Sequence, residues 1–227
     1  MTRGTPLLQL ADVGRRYGER WVVRAVTLDL AAAQCVALVG GNGAGKSTLL
    51  RLAAGRERPT SGSVVFDGGP VDEDTPTIRA RIATVMDAGT HYPDLTVREH
   101  LMLVALAHGL GTDAGDAVDQ VVADHHLTDH AHTLPSALSS GQTQALALAS
   151  AFVRPHDLLI LDEPEQRLDA RAREELARRL AAHKKGGAAI LIATHHDALA
   201  RAVADRVVTL EDGAAVAGPD PLAGGAH

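Results

Sequence analysis

Gly40-Gly41-Asn42-Gly43-Ala44-Gly45-Lys46-Ser47 has the spacing G-x-x-x-x-G-K-[ST], and what flanks it decides how the rest of the chain is built. Before it, Cys35-Val36-Ala37-Leu38-Val39 is a short apolar run that reads as a buried strand. After it, Thr48 to Ala54 reads as a helix, with Gly55 as its C-terminal cap. Strand, glycine-rich loop and helix in that order make an anion cradle. Gly40, Gly41, Gly43 and Gly45 let backbone N–H groups turn toward one point, and the helix aims the positive end of its dipole at the same place. That point suits a β-phosphate, with Lys46 bridging the β- and γ-phosphates and the Ser47 hydroxyl holding Mg2+. A lysine and a serine opening an apolar helix have little other purpose in packing.

The 227 residues leave room for one large domain or for a core with a subdomain. With 45% hydrophobic and 22% charged residues, the composition is that of a soluble globular protein. A formal net charge of -6 and the lack of any basic patch argue against binding along a nucleic-acid backbone. Cys35, the one cysteine, lies inside the predicted strand, where it reads as a small buried hydrophobe; no disulfide can form within the chain, which fits a reducing cytoplasm. Met1 to Pro6 lacks an apolar signal region, and no run of about eighteen uncharged apolar residues occurs. A membrane role therefore calls for a second polypeptide.

Leu7–Val13, Trp21–Val23, Val26–Leu30 and Val64–Phe66 are predicted strands of a small antiparallel sheet beside the loop's own core. Tyr17, one of five aromatic residues, falls in the turn Tyr17–Arg20, where its ring either stacks on a purine or covers the sheet edge. Arg79–Val85 reads as another strand, followed by the irregular stretch Met86–Leu95. Thr96 and Glu99 then form a capping box that opens a helix stopped by Gly109, and a second helix is predicted over Gly115–Asp124. Residues from about 88 to 150 are thus mostly helical and inserted between two core strands. His125, His126, His130 and His132 lie within this insert. His126 and His130 would share a face of a helix, but the run falls between helices, no other ligand cluster supports a metal, and they read as histidines of an exposed connection.

At Leu138-Ser139-Ser140-Gly141-Gln142 a further helix starts, with Ser139 and Gln142 as a capping pair. Its exposed N-terminus is a second anion site or, taken alone, an ordinary cap. Leu158–Leu161 is a buried strand that ends in Asp162 and Glu163. At the carboxyl edge of a parallel sheet Asp162 can reach Mg2+ through water, and Glu163 can polarise a water aimed at a γ-phosphate; unpaired acids after a buried run have no role in packing. Asp169 opens a helix whose solvated face carries the pairs Glu174–Arg178 and Glu175–Arg179, closed by Gly186 and Gly187. Ala189–Ala193 is a core strand that brings Thr194, His195, His196 and Asp197 to the same edge, where a histidine can hydrogen-bond a γ-phosphate oxygen. A helix over residues 198–204, a strand over Arg206–Leu210 and a disordered tail over 218–227 complete the expectation.

In this order the motifs resemble the nucleotide-binding subunit of ABC transporters, from Leu7 to about Val216. The resemblance implies a single ABC-type ATP-binding domain over residues 1–217: an α/β fold with a P-loop NTPase core, an antiparallel β subdomain and an inserted helical subdomain. It places Gly40, Gly41, Asn42, Gly43, Ala44, Gly45, Lys46, Ser47 and Thr48 on ATP, with Tyr17 against adenine and Ser47, Asp87 and Asp162 on Mg2+. Glu163 becomes the catalytic base and His195 the switch histidine. Ser139, Ser140, Gly141 and Gln142 become the family signature, and Asp169 the D-loop aspartate.

One chain cannot complete such a site. In the family two domains pack head to tail, so the implied partner is a second ATP-binding subunit, the same chain or a homologue. Separate membrane-spanning subunits are expected to dock near Ala88–His100, where Tyr92 and Leu95 offer apolar contact. The implied activity is ATP hydrolysis that powers transport, export by analogy with stand-alone subunits, at the inner face of the cell membrane. The chain departs from the pattern at four places. Asp87 stands where the family has a glutamine, and Ser140 where a glycine is usual. Thr143 and Ala145 replace basic residues, and Glu165-Gln166-Arg167 precedes Leu168-Asp169, which is expected to place extra charge between the subunits. Two alternatives stay open: a non-catalytic half of a heterodimer, marked by Asp87, and a soluble ABC protein of a cytoplasmic machine.

Overall fold

A computed structural model describes residues 6–86 and 91–216. β1 (Leu8–Tyr17) and β2 (Arg20–Leu30) form a hairpin, and β3 (Cys35–Val39) leads through the glycine-rich loop into α1 (Lys46–Ala53). β4 (Ser61–Phe66), β5 (Gly69–Pro70), α2 (Pro76–Arg81) and β6 (Ile82–Val85) follow. The insert holds α3 (Val97–Ala107), α4 (Ala114–Asp124) and α5 (Ser140–Phe152). The chain then runs through β7 (Leu158–Asp162), α6 (Ala170–Lys185), β8 (Ala189–Ala193), α7 (Asp197–Val203), β9 (Arg206–Glu211) and β10 (Ala214–Val216). Two sheets result. One is antiparallel, in the order β2-β1-β4-β5; the other has the order β10-β9-β3-β8-β7-β6, parallel except for β10 at its edge. This is the α/β architecture expected, with its antiparallel β subdomain and helical insert.

Strand periodicity explains the layers. Val36 and Leu38 of β3, Leu158 and Ile160 of β7 and Leu191 of β8 point to one side, where α1 and the antiparallel sheet supply Leu49, Leu50, Leu10 and Phe66. Their alternates Cys35, Ala37, Leu159, Leu161, Ile190 and Ile192 point to the other, against Leu148, Leu176 and Leu199 of α5, α6 and α7. A strand covered on both faces has to be apolar throughout, which is why these three read as continuous runs. Cys35 is fully buried, and that burial pushes its thiol up to about 12, so it behaves as the hydrophobe foreseen.

The insert has its own core. Val97, Leu101 and Ala105 of α3 recur one turn apart and meet Ala114, Val118, Val121 and Val122 of α4. α5 belongs to both cores. Leu146, Ala149 and, at its C-terminal cap, Val153 face the insert, while Leu148 and Ala151 face the parallel sheet.

Four expectations are corrected. Arg79–Arg81 end a helix rather than open a strand: Pro76 fits the first helical position, and Arg81 reaches out to Asp157 at 2.5 Å and Asp67 at 2.6 Å. β10 was not foreseen. On α6 the expected Glu175–Arg179 pair forms at 3.8 Å, but the expected Glu174–Arg178 pair does not form among the described residues: Arg178 lies 3.8 Å from Glu175, which also meets Arg171 at 3.2 Å and His126 at 2.5 Å. The histidine run is not simply exposed, because His125 is buried against Phe152, with ring centroids 5.5 Å apart. Among the described residues no helix is long and apolar enough to cross a membrane. The expected tail, 218–227, lies outside the described residues.

Candidate functional site

The carboxyl ends of β3, β8 and β7, three neighbours in the parallel sheet, bring together residues that are more than a hundred positions apart. β3 releases the chain into Gly40–Ser47. Gly40 has φ 146° and lies so close to β9 that a Cβ would sit 2.3 Å from the Leu210 carbonyl oxygen; Gly45, at φ 98°, would meet the Val22 carbonyl at 2.5 Å. Only glycine closes this loop, wedged between the two sheets. Lys46 opens α1 and is itself buried, its Nζ donating to the carbonyls of Gly40 at 2.8 Å and Gly41 at 3.1 Å. The ammonium thus sits inside the curl of its own loop.

β7 ends in Asp162 and turns sharply at Glu163, which holds φ 47°, a left-handed conformation that glycine adopts far more readily than glutamate. Its N–H is tied to the Ala193 carbonyl of β8 at 2.8 Å. Asp162 Oδ1 is buried without a hydrogen-bond partner; burial pushes this carboxyl up, and the Ser47 hydroxyl beside it works in the opposite direction. β8 delivers Thr194 and His195. His195 Nε2 lies 2.7 Å from Glu163 Oε1 and 3.2 Å from Lys46 Nζ. Lys46, Glu163 and His195 therefore form one contact chain, and Ser47 and Asp162 lie beside it.

Two residues of this centre escaped the sequence reading. Gln166 Nε2 donates to Glu163 Oε2, so both oxygens of that carboxylate are engaged. Glu165, expected to add charge at a subunit boundary, is instead turned inward and only 8% exposed. Its Oε1 accepts from the Thr194 hydroxyl and from the His195 N–H. The i to i+3 spacing of Glu163 and Gln166 was a usable signal; nothing in the sequence marks Glu165 as buried.

Ser139 caps α5 in a reciprocal box, its hydroxyl accepting from the Gln142 N–H and the Gln142 side chain accepting from the Ser139 N–H at 2.8 Å. Ser140 is exposed. Gln142 also reaches His130 at 2.7 Å. Among the described residues no hydrogen bond joins this end of α5 to Gly40–Ser47. One turn on, the buried Gln144 donates to the Pro164 carbonyl at 3.0 Å, tying α5 to the turn after Glu163. Asp169 caps α6 through the Ala172 N–H at 2.8 Å. Tyr17 closes β1 rather than lying free in a turn. It keeps 43% exposure, donates to Glu57 and carries the Arg15 guanidinium 4.8 Å from its ring centre; none of these partners belongs to the glycine-rich loop. Tyr92 is 56% exposed, with His100 against its ring. Asp87 lies outside the described residues.

Comparison with known proteins supplies an independent view. The family model described as ABC transporter matches residues 23–166. The Aliphatic sulfonates import ATP-binding protein SsuB of Pseudomonas entomophila is 39% identical over 94% of this chain and 76% of its own length. The Nod factor export ATP-binding protein I of Burkholderia orbicola is 33% identical over 95% of this chain and 71% of its own length. A solved ATP-binding subunit of an ABC transporter superposes with a TM-score of 0.87 at 32% identity, covering 94% of this chain and 90% of that one.

Proposed function

The chain belongs to the ABC transporter family of ATP-binding proteins, and from that premise we propose that it binds and hydrolyses ATP to drive a transporter whose membrane-spanning subunits are separate chains. What carries the reading is the contact chain from Lys46 through His195 to Glu163 at one sheet edge, and the reading takes these as phosphate ligand, γ-phosphate contact and base. Gly40–Thr48 wraps the phosphates with its N–H groups, and Lys46 exchanges the Gly40 and Gly41 carbonyls for β- and γ-phosphate oxygens. Ser47 and Asp162 would hold Mg2+: both offer hard oxygen donors, and the buried, unpartnered Oδ1 of Asp162 fits a cation. Bound there, Mg2+ draws charge from the phosphate oxygens. Asp87 is the third ligand of this reading.

Glu163 accepts a proton from the attacking water as its oxygen forms the new bond to the γ-phosphorus. The bond from that phosphorus to the bridging oxygen breaks, and ADP leaves with the electron pair. His195 hydrogen-bonds the γ-phosphate and holds Glu163 in line. A single nitrogen cannot donate to Glu163 and accept from Lys46 at once. Drawing Lys46 onto phosphate therefore frees His195 Nε2 for the carboxylate.

Ser139, Ser140, Gly141 and Gln142 lie on a helix end that, among the described residues, makes no hydrogen bond to its own phosphate loop, which supports closure over the ATP of a partner subunit packed head to tail, with Asp169 at the seam. Tyr17 keeps enough open ring to stack on adenine. The exposed Tyr92 and neighbouring residues up to His100 serve as the contact for the membrane subunits, which hold the chain at the inner face of the membrane. The complete Lys46–His195–Glu163 set favours a hydrolysing subunit over a silent half. The relatives named above include one export and one import protein, so the reading is of transport in either direction.

Glu163→Gln tests it. The purified wild type is expected to turn over ATP only with Mg2+, and the variant to bind ATP with similar affinity while losing about a hundredfold or more in kcat. Undiminished turnover in the variant overturns the assignment of the base.

A further inference from the structure

We propose that Glu165 is a positioning residue for His195: its inward carboxylate anchors the turn at the end of β8 that presents the imidazole to Glu163 and Lys46. The inference rests on the reading of Glu163 and His195 as the hydrolytic pair. Thr194 accepts the His196 N–H on its hydroxyl oxygen at 2.9 Å, and the hydroxyl donates its own proton to Glu165 Oε1. The same Oε1 accepts the His195 N–H at 3.3 Å. One carboxylate oxygen thus fixes the peptide plane from which His195 projects, and at the other end of that residue Nε2 stands 2.7 Å from Glu163.

The turn that carries Glu165, residues 163–168 after β7, does not itself need this side chain. Its backbone is held by the Leu168 N–H on the Glu165 carbonyl at 3.2 Å and by Gln144 on the Pro164 carbonyl at 3.0 Å. A buried acid is also an expensive filler here, because Glu165 Oε2 is buried with no hydrogen-bond partner among the described residues, and an apolar side chain would avoid that cost. A buried polar atom left unsatisfied points to a role other than packing. The geometry supplies one, since the acceptor serves the β8 turn that orients His195 and not the closure of its own turn after β7.

The test compares Glu165→Met, which keeps the volume but removes the acceptor, with Glu165→Gln, which keeps an acceptor oxygen without the charge. In Mg2+-ATP turnover by the full chain, Glu165→Met is expected to lower kcat about ten- to a hundredfold with KM within about twofold, and Glu165→Gln to stay within about threefold of wild type. Added to His195→Ala, Glu165→Met should cost nothing further, because both act through one imidazole. Full activity in Glu165→Met, or losses that multiply in the double variant, overturns the proposal. The Cε1–H resonance of His195 in the nucleotide-free protein gives a readout independent of catalysis: it should move in Glu165→Met and stay in place in Glu165→Gln, and an unmoved signal in Glu165→Met overturns the proposal. If Glu165→Met fails to fold, Glu165→Ala takes its place in both measurements. If the wild type itself shows no turnover, the hydrolytic reading fails, and the resonance still decides the role of Glu165.

Discussion

At the scale of the residue, the backbone of Glu163 carries strain. Its φ of 47° is one that any side chain with a Cβ resists, and the conformation is held by the sheet contact to Ala193 rather than by local preference. Glu163→Gly should therefore be more stable than Glu163→Ala by about 1 kcal/mol, measured by urea unfolding, although glycine is normally the worse choice. Buried histidines set a second behaviour. Burial pushes His125 down to about 3 and His156 to about 4, against a usual value near 6.5. Between those limits the unfolded chain binds protons that the folded chain refuses, so stability is complete above about pH 6.5 and falls as the pH drops toward 4. His125→Leu should remove about 2 kcal/mol of the stability difference between pH 6.5 and pH 5, read from urea midpoints at the two pH values. Residue types decide what the sequence reveals here. A lysine behind glycines and two acids after four apolar residues have no bland explanation, so Lys46, Asp162 and Glu163 stand out in the sequence as candidates, and the fold brings them to one place. Glu165 was not, since an acid in a polar turn looks the same whether it faces water or Thr194.

At the scale of the element, α5 carries two jobs on one cylinder. Its sides join the insert to the parallel sheet, and among the described residues its first turn makes no hydrogen bond to Gly40–Ser47. Ser139→Ala removes the acceptor for the Gln142 N–H and should cost about 1 kcal/mol in chemical denaturation. If α5 closes over a partner's ATP, turnover should fall by more than that loss of stability explains. Elements with a strong period or a reciprocal cap were readable: both capping boxes, the twice-covered strands β3, β7 and β8, and the stop of α3 at Gly109. α2 was not, because its six residues are too few to show a helical period and run straight into β6. β10 is three residues long and owes its existence to pairing with β9, a tertiary fact that no local pattern carries.

At the scale of the whole molecule, the head-to-tail dimer proposed above, in which Gly40–Ser47 of one chain faces the start of α5 of the other, predicts complementation. Lys46→Ala removes the phosphate ligand of a chain's own site, while Ser140→Arg blocks the site it would close on its partner. Each homodimer should be inactive. Mixed, the two variants form dimers with one doubly damaged site and one intact site, and turnover should return to a measurable fraction of wild type; no recovery would count against head-to-tail sharing. The hydrogen bond from Gln144 to the Pro164 carbonyl then gains a meaning beyond its own chain. In the head-to-tail dimer proposed above, it would fasten the helix that closes one cleft to the turn that carries the base of the other. In that dimer, nucleotide in either cleft would tighten both, so occupancy should rise sigmoidally with ATP, with a Hill coefficient between about 1 and 2. Gln144→Leu, which cuts that strut while keeping the helix, should flatten the curve to a hyperbola.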